Sequence, residues 1–233
     1  MRRHRSIILG LSLLTLTAAA PAAAQQSAQD ASQEVADQFT QFVISQPYAQ
    51  TLMQLIAAEE AKQGITDCED KGSFARDRLW ILEEIQFASE SGPPTGGKWQ
   101  DRLTVTHCGK TMTYNFLISA QNDGTPQIAT LVPGNSNTDP QLQRKTVPLA
   151  IETASARAKE LDPTLASCPD TWVKYAEFEK ELSDDSAKLE GEAVGGWTET
   201  WNVEVCERTV PLQMTFLLYD SGKRAEASAK PID

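Results

Sequence analysis

Histidine is nearly missing from this sequence. Two occur in 233 residues, and His4 belongs to the basic opening MRRHRS, so His107 is the only imidazole in the rest of the chain. Nucleophilic catalysis built on histidine needs a nucleophile, the base and a group that orients it. With a single candidate, His107 is read first as a half-buried strand residue. The patterns G-x-x-x-x-G-K-[ST], G-x-G-x-x-G and G-x-S-x-G are absent, which removes the usual phosphate cradles and the hydrolase nucleophile turn. There is no C-x-x-C, so a compact zinc site or dithiol redox centre has no framework. No cofactor, metal or catalytic residue is expected on these grounds. Beyond the first two dozen residues no run approaches the roughly 20 apolar residues that span a bilayer.

Positive charge is also scarce, and its placement is telling. The chain has 21 Lys+Arg against 32 Asp+Glu, a net charge of −11. The opening combines a basic end, the apolar run IILGLSLLTLTAAA and the small residues PAAAQQ, the pattern of a secretory signal cut after Ala24. Cleavage would remove Arg2, Arg3 and Arg5 and no acid, taking the net charge to −14. The expected product is periplasmic or secreted. Such a polyanion repels nucleic acid and anionic lipid and attracts cationic partners.

What is present is a pattern that occurs twice. GGKWQDRLTVTHC ends on Cys108 and GGWTETWNVEVC ends on Cys206, 98 positions later. Trp99 then matches Trp197, and Val105 matches Val203. Upstream, Cys68 matches Cys168 at an offset of 100, with Ala58 against Ala158 and Ile65 against Leu165. Beyond the second cysteines an offset of 100 again pairs Met112, Tyr114, Phe116 and Ile118 with Leu212, Met214, Phe216 and Leu218, if the second turn is two residues longer. An internal repeat accounts for this order. Four cysteines in an exported chain suggest two disulfides, and self-contained repeats would pair Cys68 with Cys108 and Cys168 with Cys206. Each closure is worth roughly 4 kcal/mol in the chain-entropy picture, support that a small core needs.

The fold class expected is α+β, a tandem duplication in which each copy packs a helix on a three- to four-stranded antiparallel sheet. Residues 1–24 form the signal, and 25–47 an amphipathic helical extension with Val35, Phe39, Phe42 and Val43 on one face. Residues 48–133 form the first copy, 134–147 a polar linker and 148–233 the second copy, whose helix starts at Pro148. RLWILEEIQFAS and TWVKYAEFEKEL read as first strands, with second helices as the alternative. The segments ending on Cys108 and Cys206, and those that follow, alternate apolar and polar residues as strands do. Strict alternation leaves Cys206 on the polar side of its strand.

Carboxylate pairs occur at Glu59–Glu60, Glu83–Glu84 and Asp184–Asp185. Adjacent acids on one segment point apart and do not face each other across a cleft as glycosidase pairs do. DCEDKG, residues 67–72, lacks the ligand spacing of a calcium loop. Trp197 and Trp201 share a strand face about 13 Å apart, a spacing that suits a ligand platform, although Val203 and Val205 continue that face and favour core packing.

The function expected is non-enzymatic binding in a bacterial cell envelope. Its partner would be an envelope protein, a cationic peptide or a small ligand, and inhibition or neutralisation of a cationic protein is the sharpest version. The alternatives are a carboxylate-dependent hydrolase, testable at Glu83, Glu84 and His107, and a structural or assembly protein.

Overall fold

The computed structural model describes residues 22–65, 72–182 and 193–232. Residues 1–21 of the expected signal, Cys68 with its pairing to Cys108, and Asp184–Asp185 lie outside them.

Two helices open the chain. Helix α1 (Ala22–Val43) and helix α2 (Gln46–Lys62) are separated by a tight turn in which Ser45 N donates to Phe42 O. Pro47 suits the first turn of α2, where its missing N–H costs nothing. Gly64, at φ +68, ends it in the left-handed conformation that glycine adopts freely. The buried stripe of α2 is Tyr48, Leu52, Ile56 and Glu60, one residue per turn. Its last member is an acid.

A four-stranded antiparallel meander follows: β1 (Ser73–Phe87), β2 (Pro94–His107), β3 (Lys110–Ser119) and β4 (Gln127–Thr130), in that spatial order. Trp99, Leu103, Val105, Tyr114, Phe116 and Ile118 form its inner face and pack on α1 and α2. Phe39 and Phe42 of α1 meet the Trp99 ring edge-on at 5.2 and 6.0 Å. The N-terminal extension therefore docks on the first sheet. Phe39 and Val43 are buried, Phe42 is half-buried and Val35 stays exposed.

The second half has one helix and a five-stranded sheet. A two-residue strand β5 (Gly134–Asn135) adds in parallel to β6 (Thr171–Glu181), and β7 (Gly195–Val205), β8 (Arg208–Tyr219) and β9 (Arg224–Pro231) continue as a meander. Helix α3 (Pro140–Leu161) lies across the inner face. Its stripe of Ala150, Ala154 and Ala158 lets it approach Trp201, Leu212, Met214 and Phe216 closely. The ambiguous segments after Cys68 and Cys168 are strands, β1 and β6.

Three details differ from expectation. Helix α3 starts at Pro140, eight residues ahead of Pro148. Asp139 is its cap, accepting from Gln141 N at 2.8 Å and Leu142 N at 3.0 Å, and Pro148 sits inside the helix on an exposed face. The two hairpin turns have equal length: His107 pairs with Lys110, and Val205 with Arg208. The offset therefore stays at 98 through both hairpins, and Ile118 stands where Phe216 does, opposite Trp99 and Trp197 respectively. The helix stripes correspond at the same offset, Leu52 with Ala150 and Ile56 with Ala154, whereas Ala58 is exposed and Ala158 buried. Finally, Cys206 is not a strand residue. Both cysteines are the first residue of a two-residue turn with positive φ, 52° for Cys108 and 44° for Cys206, which settles why the alternation put Cys206 on the polar side. The Cys168–Cys206 disulfide forms as expected, and no described cysteine is a free thiol.

Candidate functional site

The segment expected to be a linker places polar residues in the interior. Ser136 and Thr138 are buried, and both face Glu199, which is fully buried on β7. Glu199 Oε1 accepts from Ser136 Oγ at 3.1 Å, Asn137 N at 2.9 Å, Thr138 Oγ1 at 3.1 Å and Trp197 Nε1 at 2.8 Å. Its Oε2 accepts from Trp201 Nε1 at 2.8 Å. From the first sheet, Arg102 donates to Ser136 O and Asn115 Oδ1, both at 2.9 Å, while Asn115 Nδ2 holds Val132 O and Gly134 O. Burial pulls the Arg102 guanidinium below its ordinary value, and the neighbouring Arg78 adds to this. The Glu199 carboxylate and the Asn115 amide are both engaged within this hub. It joins the two sheets.

Ninety-eight positions before Glu199 stands Asp101, also fully buried. Arg76 closes on it through Nε at 2.9 Å and Nη2 at 3.0 Å, and Tyr48 Oη donates at 3.1 Å while accepting from Trp99 Nε1. Burial, and then the Asp101 charge, push the Tyr48 phenol far above its ordinary value. This too is a closed network.

His107 has a defined place. Its Nδ1 lies 2.9 Å from Oε2 of Glu60, the acid at the end of the α2 stripe. The pair borders a cavity of about 150 Å³ between α2 and the sheet, walled by Met53, Ile56, Phe74 and Val105. At an offset of 98 the second half has Ala158 and Val205, so both partners of the pair are replaced together by apolar side chains. Behind it Tyr114 is fully buried, its hydroxyl without a well-formed hydrogen bond, and burial with the Glu60 and Glu59 charges raises its pKa. Ser73 also touches the cavity wall, but its register opposite Thr106 puts it on the strand face opposite to Val105.

The remaining expected residues are not brought together. Glu83 pairs with Lys98 and Glu84 is exposed, at the far end of β2 from His107. Nine strand steps separate Lys98 from His107, roughly 30 Å. Trp201 is fully buried, and Trp197 is half-buried and stacked on Phe216 at 5.0 Å and 16°. Their indole N–H groups are spent on Glu199, an arrangement that agrees with core packing. Among the described residues, no three His, Cys, Asp or Glu are gathered as metal ligands.

A large open site lies on α1. A groove of about 820 Å³ runs between this helix and residues 88–93, the loop joining β1 to β2. Gln38 builds it by donating from Nε2 to Ser89 O at 2.7 Å and to Gly92 O at 3.3 Å. Gly124 backs the loop, since a Cβ there would fall 2.6 Å from Pro93 Cγ. The floor is Phe42, Pro47 and Pro93; the walls carry Glu34, Asp37 and Glu90; no lysine, arginine or histidine is among the described residues that line it. Asp37 is oriented by Gln33 Nε2 at 2.8 Å. Sequence reading missed this site because its acids become neighbours only when the loop folds back on the helix. The apolar stripe of residues 35–43 was the available signal, as it fixed which α1 residues face outward.

No protein-family model, no curated protein and no solved structure matches this chain.

Proposed function

We propose that this is an exported, non-enzymatic binding protein whose α1 groove takes a cationic, partly apolar segment of an envelope protein or peptide. The observation that carries the reading is the groove lining: three carboxylates, no cationic side chain among the described residues, and an apolar floor of Phe42 and two prolines. The wider charge agrees, since an acidic molecule steers cations toward such a cleft. A basic partner would be held by its charges on Glu34, Asp37 and Glu90, and by its apolar side chains on the floor. Inhibition or neutralisation of a cationic protein is the biological form this would take outside the cytoplasm. The two halves are proposed to be copies of one unit, supported by a single offset of 98 in helix stripes, hairpins and buried acids. The Cys168–Cys206 disulfide suits an exported chain.

Fluorescence anisotropy with a labelled peptide of alternating lysine and leucine tests this, with the glutamate–leucine peptide as control. The basic peptide should bind and the acidic one should not. Raising salt from about 0.01 M to about 1 M, which shortens screening from roughly 30 Å to 3 Å, should remove most of the affinity. The triple substitution Glu34→Gln, Asp37→Asn, Glu90→Gln should do the same at low salt. Equal binding of both peptides, or binding indifferent to the triple substitution, would sink the proposal.

A second reading rests on the small cavity beside His107 and Glu60: a carrier for a small, mainly apolar ligand held between helix and sheet. Its affinity would respond little to salt and would fall on Ala57→Trp, placed to fill the cavity.

A further inference from the structure

Given the acidic groove on α1 as the binding site proposed above, we infer that the groove is polarised and selects its partner by the arrangement of charge. The segment it fits is extended, with cations grouped at one end and apolar side chains grouped about three residues away. An even mixture of the two fits less well.

The polarity comes from the order of residues along α1. Glu34, then Asp37 and Gln38, then Gln41 and Phe42 recur at helical spacing, so they share one face and line the groove in that order. Ser45 and Pro47 continue the wall beyond the end of the helix at Val43. From Glu34 to Gln41 this wall carries no apolar side chain, and from Phe42 to Pro47 it carries no charged one. The third acid, Glu90, belongs to the acidic half. Gln38 holds the carbonyls of Ser89 and Gly92 on either side of it, which keeps Glu90 near the level of Gln38.

Both halves have surface to offer. Glu34, Asp37 and Glu90 are exposed, and among the described residues no lysine, arginine or histidine forms an ion pair with them. Phe42 is half-buried against Tyr48 and Trp99, and its remaining surface lines the groove beside the exposed Pro47.

Helix geometry sets the spacing. At a rise of about 1.5 Å per residue, Phe42 lies roughly 12 Å along the axis from Glu34 and roughly 7 Å from Asp37. A short segment has no stable helix of its own in water and enters extended, advancing about 3.3 Å per residue. The distance from acid to ring is then roughly two to four residues of the partner. Strict alternation does not match this, because residues i and i+2 share a face. All the cations would point one way and all the apolar side chains the other, so the groove would meet mostly one kind. Grouped side chains present both, each to its own end.

Fluorescence anisotropy on the purified, disulfide-bonded protein tests this with labelled peptides of identical lysine, leucine and glycine content. In one the lysines precede the leucines, in another they follow them, and in a third the two alternate. The better of the grouped peptides should bind about tenfold more tightly than the alternating one. Moving its terminal glycines between the blocks, so that they stand well beyond about three residues apart, should remove that advantage. Pro47→Glu sets a carboxylate at the apolar end, at an exposed position in the first turn of α2 where an acid suits the helix dipole. The variant should bind the alternating peptide at least as well as the grouped one, with an unchanged circular dichroism spectrum. If no lysine-containing peptide binds the parent, the groove reading and this inference fall together. Binding that needs Glu34, Asp37 and Glu90 but ignores order and spacing would leave the groove reading standing and overturn the polarity alone. A preference kept in full by a folded Pro47→Glu variant would overturn it as well.

Discussion

Glu199 shows how one residue can decide what a surface is for. Five donors converge on its carboxylate, and two of them are the indoles of Trp197 and Trp201. W-x-E-x-W on a strand therefore spells a closed cage, with the aromatic pair turned inward by the acid between them. Alternation put Glu199 on the buried face; what it met there was not legible, since three of its donors come from Ser136, Asn137 and Thr138, about 60 positions away. Glu199→Gln keeps the size but replaces one acceptor oxygen by an N–H₂ group. With Oε1 taking four bonds, the amide nitrogen must face Trp201 Nε1, donor against donor. The expected loss is about 1–3 kcal/mol, the cost of an unsatisfied buried polar group. Glu199→Ala, which orphans every donor, should lose more. Urea unfolding measures both, and a Gln variant as stable as the parent would show that the cage does not hold the fold.

At the scale of the element, the two hairpins make a controlled comparison. Both turn in two residues with positive φ, the primed geometry that matches strand twist and favours glycine. The first has Gly109 at φ 68° in the second position, and the other has Glu207 at φ 69°. An L-residue there costs about 1–2 kcal/mol, partly offset by glycine's greater unfolded-state entropy. Glu207→Gly should therefore stabilise the oxidised protein by about 0.5–1 kcal/mol. A lower midpoint on thermal unfolding would mean that the Glu207 side chain makes a contact outweighing the strain. The same hairpins explain what was and was not legible. Strand existence followed from alternation, but sliding the match by two residues keeps every side chain on its face. An offset of 100 thus looked as good as 98 until hydrogen-bond register fixed it. Likewise Pro148 resembled a helix start, while Asp139–Pro140, with the stronger cap chemistry, was hidden in polar sequence. The groove was the least legible part, being made by a loop returning to a helix.

For the whole molecule, the question is whether its two sheets, each with its own helical layer, unfold separately. Their connection argues against independence. Arg102 and Asn115 of the first sheet, Ser136 and Thr138 of the connecting segment, and Glu199 of the second sheet form one buried network. Gly134 adds a parallel bridge to β6, and a Cβ there would sit 1.9 Å from Ala176 O. If the second unit opened alone, Ser136 and Thr138 would lose their acceptor, and the Arg102 contact to Ser136 O would hang on a segment no longer anchored by β5 and β6. Opening either unit thus removes partners from buried groups of the other, at about 1–3 kcal/mol for each group left unsatisfied. Several such groups amount to a sizeable part of the 5–15 kcal/mol that holds a typical domain folded. Differential scanning calorimetry should accordingly show one transition, with calorimetric and van't Hoff enthalpies in agreement. Two resolved transitions would mean that the network is a contact between independent units. A single transition that splits on Arg102→Met would locate the coupling in this hub, because the substitution keeps much of the side-chain volume and removes only its donors.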